Sequence, residues 1–199
     1  MTIIRQGHKA AEAMDWNEAQ QLINRMVEDG LYRDALLVAA GCNLGLRISD
    51  LLRLRWCDLL SDTITLTEQK TGKTRELGVN AHLQKIASSC RKALGRPSED
   101  AYVFVAEGKD VPMSRQAVDL MLKRVRVKYR VKSAKVFSSH TLRKTFGRRV
   151  WEKECENGRG DQALVLLCDV FGHTSIAITK RYLGIRQDEI RSVYNSLND

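Results

Sequence analysis

Six side chains in four short stretches are of types that could together catalyse a reaction: two arginines, two histidines, a lysine and a tyrosine. They are Arg47 in NLGLRISD, Lys70 in EQKTGKTREL, His140 and Arg143 in SSHTLRKTFG, and His173 and Tyr182 in FGHTSIAITKRYLG. Guanidiniums can neutralise phosphate oxygens, a lysine can protonate a leaving group, and a tyrosine hydroxyl can act as a nucleophile. Together these residue types favour phosphoryl transfer from DNA to a tyrosine, with positioned cations stabilising the developing charge.

Motifs of several other reactions are absent from the sequence. It holds no GxxxxGK[ST] phosphate loop, no GxSxG elbow and no His/Cys spacing suited to zinc. We therefore expect no cofactor, no metal and no use of ATP. The five scattered cysteines form no CxxC pair, no apolar run suits a membrane span, and the start of the chain lacks a signal core. We expect a cytoplasmic protein, associated with the nucleoid in a bacterial or phage context.

Positive charge is concentrated in one part of the chain. The net charge is +9, yet residues 115–149 contain twelve Lys or Arg and a single acid, Asp119. A basic stretch with apolar residues interleaved, such as MLKRVRVKYRVK, suits a surface that meets nucleic-acid phosphates, although a solvated helix face explains it equally well. The candidate DNA contacts are Lys73, Arg115, Lys123, Arg124, Arg126, Lys144, Lys180 and Arg181.

Apolar periodicity and capping residues predict a mainly α fold with a small antiparallel β-sheet, an α+β class. A capping box from Asp15 to Glu18 opens the first predicted helix, Trp16–Glu28. The other predicted helices are Leu31–Leu44, Ile48 to Trp56, Ala81–Leu94, Ser114–Tyr129, Thr141–Glu156, Gln162–Phe171, Ile176–Tyr182 and Gln187–Leu197. The alternating stretches TITLTEQ and TRELGV predict a hairpin with Gly72 in its turn, and AYVFVAEGKDVP suggests a short edge strand.

These elements determine whether the six side chains can meet. Arg47 lies just before the third predicted helix, where Asp50, three residues on, can hold its guanidinium for a phosphate. An ordinary surface arginine is the commoner explanation for such a residue taken alone. Lys70 ends the first strand, and a hairpin loop suits a general acid that follows a leaving group. Lys73, across the turn, is a rival that spacing does not exclude.

A predicted helix N-terminus carries the next pair. His140 and Arg143 fall on one face of it, with Ser139 as the N-cap. The positive end of the helix dipole adds to the attraction of this face for an anion. Helix capping beside an exposed basic residue is the plainer alternative.

The last pair meets only if the chain turns between its members. In one continuous helix, nine residues would separate His173 from Tyr182 by about 13 Å and place them on opposite faces. Gly172 permits a sharp turn, and Thr174 or Ser175 can cap a new helix over Ile176–Tyr182. We therefore expect a helical corner that brings both side chains to one site.

The four stretches together resemble the tyrosine recombinases of the phage-integrase family, over about residues 15–197. NLGLRISD matches the motif T-G-x-R-x-x-E/D, and the KTG of the hairpin matches the lysine motif. HTLR matches H-x-L-R, and GHTSIAITKRY matches G-H-x-x-x-x-x-T-x-x-Y without a gap. Any single match is weak, but four in the right order form a specific signal. The resemblance implies the catalytic-domain fold of that family.

The resemblance also implies roles and partners. Tyr182 would form a 3′-phosphotyrosyl link and free a 5′-hydroxyl that attacks the partner duplex. Double-stranded DNA would be the substrate, bound by a homo-oligomer that forms a tetramer in the synapse and can be a monomer in isolation. Accessory DNA-bending proteins would be further partners. The implied catalytic set is Arg47, Lys70, His140, Arg143, His173 and Tyr182, with Asp50 as the acidic partner of the first arginine.

The expected domain organisation is an N-terminal arm, residues 1–14, and a catalytic domain, residues 15–199. Residues 183–199 are expected to form a tail that docks on a neighbouring protomer, with Ile185, Ile190, Val193 and Leu197 as its apolar stripe. Family members usually carry an N-terminal core-binding domain that clamps DNA, and none is expected in this sequence. The two explanations are a naturally short member, like the invertases that switch fimbrial genes, and an excised catalytic domain.

Two other functions stay open at this point. A type IB topoisomerase relaxes supercoils through the same tyrosyl link, and a DNA-binding regulator could keep the fold without catalysis. The GHxxxxxTxxY stretch and the tail favour a recombinase, and the presence of all six residue types argues against a decayed site. The sequence does not give the target site, the direction of recombination, or whether a protomer cleaves with its own tyrosine.

Overall fold

A computed structural model describes residues 11–70, 72–106 and 108–196. These residues form ten helices and one two-stranded antiparallel sheet, so the predicted fold class is confirmed. The strands are β1, Thr63–Thr67, and β2, Thr74–Gly78. The helices are α1 Trp16–Glu28, α2 Tyr32–Leu44, α3 Ile48–Leu51, α4 Trp56–Leu60, α5 Ala81–Ala93, α6 Arg115–Tyr129, α7 Ser139–Glu156, α8 Gly160–Phe171, α9 Ile176–Leu183 and α10 Ile185–Asn195.

The main core surrounds α2. Nine of the thirteen residues of this helix are buried, and α1, α5 and α7 pack around it. At Gly41 an added Cβ would lie 2.8 Å from a methyl carbon of Leu142, so α2 and α7 are in direct backbone-to-side-chain contact. A smaller core joins α7 to α10, with Phe171, Leu183 and Ile185 among its buried residues. The cavity described below lies where these two cores meet α3 and the hairpin.

The first helix begins as predicted, but its capping box is only half formed. The Asp15 carboxylate accepts a hydrogen bond from the Glu18 amide at 2.9 Å. The Glu18 carboxylate does not return to Asp15; it accepts from the amides of Lys132 and Ser133 at 2.7 and 2.9 Å. The predicted reciprocal bond is therefore wrong, because Glu18 ties α1 to the loop after α6 instead.

The predicted helix from Ile48 to Trp56 is also wrong. Helix α3 ends at Leu51 and α4 begins at Trp56; a turn at Leu52 and Arg53 follows α3, and the next two residues pair with a second segment. The Leu54 carbonyl accepts from the Val103 amide at 3.0 Å, and Arg55 forms a bridge with Tyr102. In the suggested edge strand at 101–112, the described residues form isolated bridges, at Tyr102 and between Val105 and Pro112.

Several element ends differ by a few residues from the prediction. Ser138, not Ser139, is the N-cap of α7, and α10 begins at Ile185 rather than Gln187. Of the predicted arm, residues 1–10 lie outside the described residues, as does Leu197 of the predicted tail stripe. Met14 is buried, and its amide donates to the Thr145 hydroxyl at 2.9 Å.

The hairpin aligns Thr63 with Gly78 and Thr67 with Thr74, and Gly72 in its loop has φ +66°. This loop places Glu68, Gln69 and Lys70 beside the start of α3. Of the helices in the described residues, none is by itself both long and apolar enough to cross a membrane. The pair α8 and α9 has the combined length and composition, but it is bent by 92°.

Candidate active site

A cavity of about 630 Å³ lies between α3, the hairpin loop, the N-termini of α6 and α7, and the corner between α8 and α9. All six candidate catalytic residues line it, although they are spread over 136 positions of the chain. The charged or titratable lining residues are Arg47, Arg53, Lys70, Arg115, His140, Arg143, His173 and Tyr182. The structure therefore gathers the predicted set and adds Arg53, which sequence reasoning missed.

The predicted corner between α8 and α9 is confirmed. Gly172 ends α8 in the left-handed conformation, with φ +62°, and the Ser175 side chain caps α9 by accepting from the Ile178 amide. The His173 ring nitrogen Nδ1 lies 2.9 Å from the buried Thr179 hydroxyl. This contact fixes the imidazole with its ring centroid 5.2 Å from that of Tyr182.

Tyr182 is packed by rings, while its hydroxyl is left unbonded. Its ring contacts those of His140, Phe171 and His173 edge-on, and the Lys144 ammonium stands 4.7 Å above it. The hydroxyl is buried and has no hydrogen-bond partner among the described residues; Arg143 lies near it without the geometry of a hydrogen bond. Burial raises the pKa of Tyr182, and the charges of Arg143 and Arg47 partly offset that rise.

Arg143 is the most deeply enclosed of the cavity cations. Its side chain is buried, its guanidinium donates to the carbonyls of Gly45 and Phe171, and it stacks 4.6 Å from the Phe171 ring centre. Burial lowers the pKa of Arg143 to about 10, so the group stays charged at neutral pH. Its positive charge is held in place before any substrate arrives.

Arg47 is held by a different acid from the one predicted. Its guanidinium donates to the Glu68 carboxylate at 2.7 Å and to the Phe171 carbonyl at 3.0 Å, so one oxygen atom accepts from both Arg47 and Arg143. Asp50 is buried and instead accepts from the Gln69 amide at 3.1 Å. The predicted pair between Arg47 and Asp50 is thus replaced by two bonds that dock the hairpin onto α3.

Glu68 and Arg75 are members of the arrangement that the sequence did not reveal. Glu68 contacts Arg75 at 3.3 Å as well as Arg47, and Arg75 donates to the Asp169 carbonyl at 2.7 Å. Both residues sit in the alternating hairpin, where a charged side chain is ordinarily exposed. The only available signal was an acid two residues before Lys70, which is too common to be specific.

The surroundings of both cavity histidines favour the uncharged imidazole. Partial burial and nearby cations, first Arg115 and Lys144, lower the pKa of His140 below its usual value. The pKa of His173 is lowered by burial and by Arg143 and Arg47. Because an ordinary histidine pKa is about 6.5, these two imidazoles can accept a proton at pH 7.

The two rival lysines occupy different places in the hairpin loop. Lys70 lines the cavity, whereas the backbone carbonyl of Lys73 closes the loop by accepting from the Glu68 amide at 3.0 Å. Access to the cavity favours Lys70 as the proton donor. The assignment stays a prediction.

Apart from Lys73, which is exposed in the hairpin loop, the predicted DNA contacts fall into four groups. Arg115 lines the cavity, and Lys123, Arg124 and Arg181 are exposed. Arg126 and Lys144 are partly buried and donate within the fold, to the carbonyls of Ala134 and Ala11. Lys180 lines a second cavity, of about 520 Å³, with Trp151 and Cys155. Within the described residues no cluster of three or more His, Cys, Asp or Glu side chains could hold a metal ion.

The sequence matches a known family over most of its length. The family model described as the phage integrase family matches residues 12–189. The chain belongs to this family. It is similar to the probable integrase/recombinase YoeC of Bacillus subtilis (strain 168), with 30% identity over 163 residues, 81% of this chain and 83% of YoeC. The resemblance inferred from the four motifs is confirmed.

One further relative and one solved structure extend the likeness. Tyrosine recombinase XerC of Xanthomonas axonopodis pv. citri (strain 306) is 28% identical over 190 residues, 94% of this chain and 59% of XerC. The crystal structure of the XerH site-specific recombinase, in a post-cleavage complex with a palindromic difH substrate, superposes with a TM-score of 0.68 at 14% identity, over 94% of this chain and 54% of XerH. The chain spans a little over half the length of these two proteins.

Proposed function

We propose that this protein is a site-specific DNA recombinase that cleaves and rejoins DNA through a 3′-phosphotyrosyl link on Tyr182. The observation that carries the proposal is the Tyr182 hydroxyl, which is buried without a hydrogen-bond partner among the described residues and shares a cavity with cations. A buried polar group left unbonded is costly to a fold, so it suggests a role in function. The likeness to the XerH site-specific recombinase, whose structure contains its difH substrate, supports DNA as the substrate.

The cleavage step uses a tyrosine, a histidine and a lysine of the cavity, together with the two arginines described below. The Tyr182 oxygen attacks phosphorus, the bond from phosphorus to the 5′-oxygen breaks, and the new bond joins the DNA 3′-phosphate to the protein. A neutral histidine, His140 or His173, accepts the proton of the tyrosine, since the raised pKa of Tyr182 keeps the hydroxyl protonated at rest. The Lys70 ammonium protonates the departing 5′-oxygen.

The two guanidiniums stabilise the transition state. Arg47 and Arg143 are held side by side by the Phe171 carbonyl, facing the same cavity. Charge on the non-bridging phosphate oxygens increases during attack, and donors fixed in advance stabilise it without reorganising. The bond energy retained in the tyrosyl link then lets a 5′-hydroxyl of the partner duplex reverse the step.

We also propose a homo-oligomer on DNA, a tetramer in the synapse, joined through α10. Beyond Ile185, which is buried, the outward side of this helix carries three exposed apolar residues: Ile190, Val193 and Tyr194. Its base is held by an ion pair of 2.6 Å between Arg148 and Asp188. An exposed apolar helix face suits docking on a neighbouring protomer. Accessory DNA-bending proteins and a cytoplasmic location belong to the same proposal.

Covalent capture tests the nucleophile without knowledge of the target site. The protein is incubated with sheared genomic DNA from its own organism, denatured and washed, and the peptide that carries phosphodeoxynucleotide is identified by mass spectrometry. We expect the link on Tyr182, and sequencing the attached DNA then gives the cleavage site. Tyr182→Phe should abolish capture, because phenylalanine offers no nucleophile.

Tyr32→Phe is the matched control, since Tyr32 lies at the start of α2, outside the cavity, and phenylalanine keeps its ring. It should be captured like the wild type. Capture through another residue would refute the assignment of Tyr182. Relaxation of supercoiled plasmids that lack the recovered site, at a rate equal to that of plasmids that carry it, would favour the topoisomerase alternative.

A further inference from the structure

Glu68, the residue after β1, is a buried acid between two arginines. Its side chain is 6% exposed, and its two oxygens contact different guanidiniums, Arg47 at 2.7 Å and Arg75 at 3.3 Å. Burying a carboxylate is unfavourable unless it is paired, and here two cations pair with it. The two arginines therefore stabilise the buried carboxylate, and the carboxylate in turn holds their guanidiniums in place.

The two arginines extend this cluster to the end of α8. Arg47 donates to the Phe171 carbonyl at 3.0 Å, and Arg75 donates to the Asp169 carbonyl at 2.7 Å. Cations at a helix C-terminus interact favourably with its dipole and hydrogen-bond its last carbonyls; the Asp169 carbonyl also accepts from the Gly172 amide at 3.0 Å. One carboxylate thus connects α3, the hairpin and the helix end that leads into His173.

The main chain at Glu68 closes the loop that carries Lys70, and the Glu68 carboxylate joins this loop to Arg47. The Glu68 amide donates to the Lys73 carbonyl at 3.0 Å, and the Glu68 carbonyl accepts from the Gly72 amide at 2.9 Å. The next amide, of Gln69, donates to Asp50. The loop is therefore closed on itself and fastened to α3 immediately before Lys70.

Glu68 lies behind the cavity rather than in it. Arg47 and Lys70 line the cavity, while Glu68 and Arg75 are absent from its walls. A carboxylate facing a DNA phosphate would repel it, whereas one behind the arginine orients the guanidinium and leaves its outer side to the substrate.

We propose that Glu68 is a positioning residue for cleavage: it holds the Arg47 guanidinium toward the scissile phosphate and fixes the hairpin loop so that Lys70 reaches the departing 5′-oxygen. The inference rests on the proposed function. It assigns two separable effects to one carboxylate, one through charge stabilisation and one through proton donation.

Glu68→Gln tests the proposal, since it removes the charge and keeps the shape. The substrate is a nicked duplex that carries the site recovered by covalent capture, and single-turnover cleavage is measured at saturating DNA. We expect cleavage to slow by about 10- to 100-fold, the usual effect of misplacing catalytic groups by an ångström or less. The affinity for DNA should change little, because Glu68 does not face the substrate. Glu76→Gln, the same charge change at an exposed site in β2, should cleave like the wild type.

A 5′-bridging phosphorothiolate at the cleavage site separates the two effects. Its thiolate leaves without a proton when the bond between phosphorus and sulphur breaks, so the contribution of Lys70 disappears. We expect Glu68→Gln to recover part of its rate on this substrate, with the remaining deficit reporting Arg47. An unchanged rate on the ordinary duplex, or deficits of equal size on the two duplexes, overturns the proposal.

Arg75→Gln keeps the inference testable if Glu68→Gln does not fold. It leaves the contact between Arg47 and Glu68 and removes the bond from the hairpin to Asp169. We expect slow cleavage of the ordinary duplex and a nearly complete recovery on the phosphorothiolate; a deficit that does not recover contradicts the role of the hairpin. If the wild type itself forms no Tyr182 adduct, the proposed function fails. If the wild type reacts and the variants match it, only this inference fails.

Discussion

The two walls of the cavity hold their functional groups by different means. The helical wall, Arg143, His173 and Tyr182 on α7, the α8–α9 corner and α9, is packed among rings and helix backbone. The hairpin wall, which Lys70 lines and which Glu68 and Arg75 support from behind, rests on ion pairs and loop hydrogen bonds. Packing in the helical wall fixes the nucleophile and a cation rigidly, while polar contacts place the proton donor at the end of a two-stranded hairpin. Changes in the helical wall should therefore affect both stability and rate, and changes in the hairpin wall mainly the rate.

Arg143→Ala should have the largest effect of the substitutions that spare the nucleophile. We expect single-turnover cleavage to fall by about 10²–10³-fold, because a fixed donor to the phosphate is lost. Stability should also fall by about 1–3 kcal/mol, since the carbonyls of Gly45 and Phe171 lose a buried donor. Urea unfolding and cleavage assays measure the two losses.

Arg191→Ala is the matched control for Arg143→Ala, because Arg191 is exposed on α10. Undiminished cleavage by Arg143→Ala would remove Arg143 from the mechanism. If Arg143→Ala cleaved more slowly but unfolded at the same urea concentration as the wild type, the helical wall would not differ from the hairpin wall in the way we expect.

Lys70→Ala should show the opposite behaviour in the hairpin wall. We expect cleavage to slow by about 10²-fold, the usual contribution of a positioned general acid, with no measurable change in unfolding. A 5′-bridging phosphorothiolate should restore the rate. Lys73→Ala, compared in the same assay, should cleave nearly as fast as the wild type. The reverse order of the two variants would identify Lys73 as the proton donor.

Two glycine-to-alanine substitutions compare the packing of the two walls directly, and their expected effects are smaller. At Gly147 in α7 an added Cβ would lie 2.7 Å from both Leu183 and the Phe171 ring, which support α9. We expect Gly147→Ala to destabilise the fold by about 1–3 kcal/mol and to slow cleavage by displacing Tyr182. Gly78→Ala in the hairpin meets nothing within 4 Å and should change stability by less than about 0.5 kcal/mol. If Gly147→Ala and Gly78→Ala shifted the melting temperature equally, the expected difference in packing between the two walls would be contradicted.

The helical wall was largely predictable from the sequence, because local signals determine it. A glycine that permits positive φ and a serine cap specify the corner between α8 and α9, and the corner brings His173 to Tyr182. The helix ends before and after it were predicted to within a few residues for the same reason. Local signals fail where another segment competes, as at Glu18, whose carboxylate is taken by the loop at 132–133.

The hairpin wall was predictable only in outline. Alternation and Gly72 indicate two strands and a turn, but the contacts that orient the loop join residues far apart in the chain. Arg47 and Glu68 are 21 positions apart, and Arg75 and Asp169 are 94. No periodicity encodes such pairs, so Asp50, the nearest acid to Arg47, was the natural choice. The structure shows that Asp50 binds the loop backbone instead.

The carbonyl of Phe171 affects how amino-acid substitutions can alter this site in evolution. It is the shared acceptor that sets the spacing between the guanidiniums of Arg47 and Arg143. A main-chain oxygen is supplied by every amino acid, so replacing the side chain at 171 would not remove it. Substitution at that position therefore keeps the shared acceptor, and acts on the pair only through the ring on which Arg143 stacks.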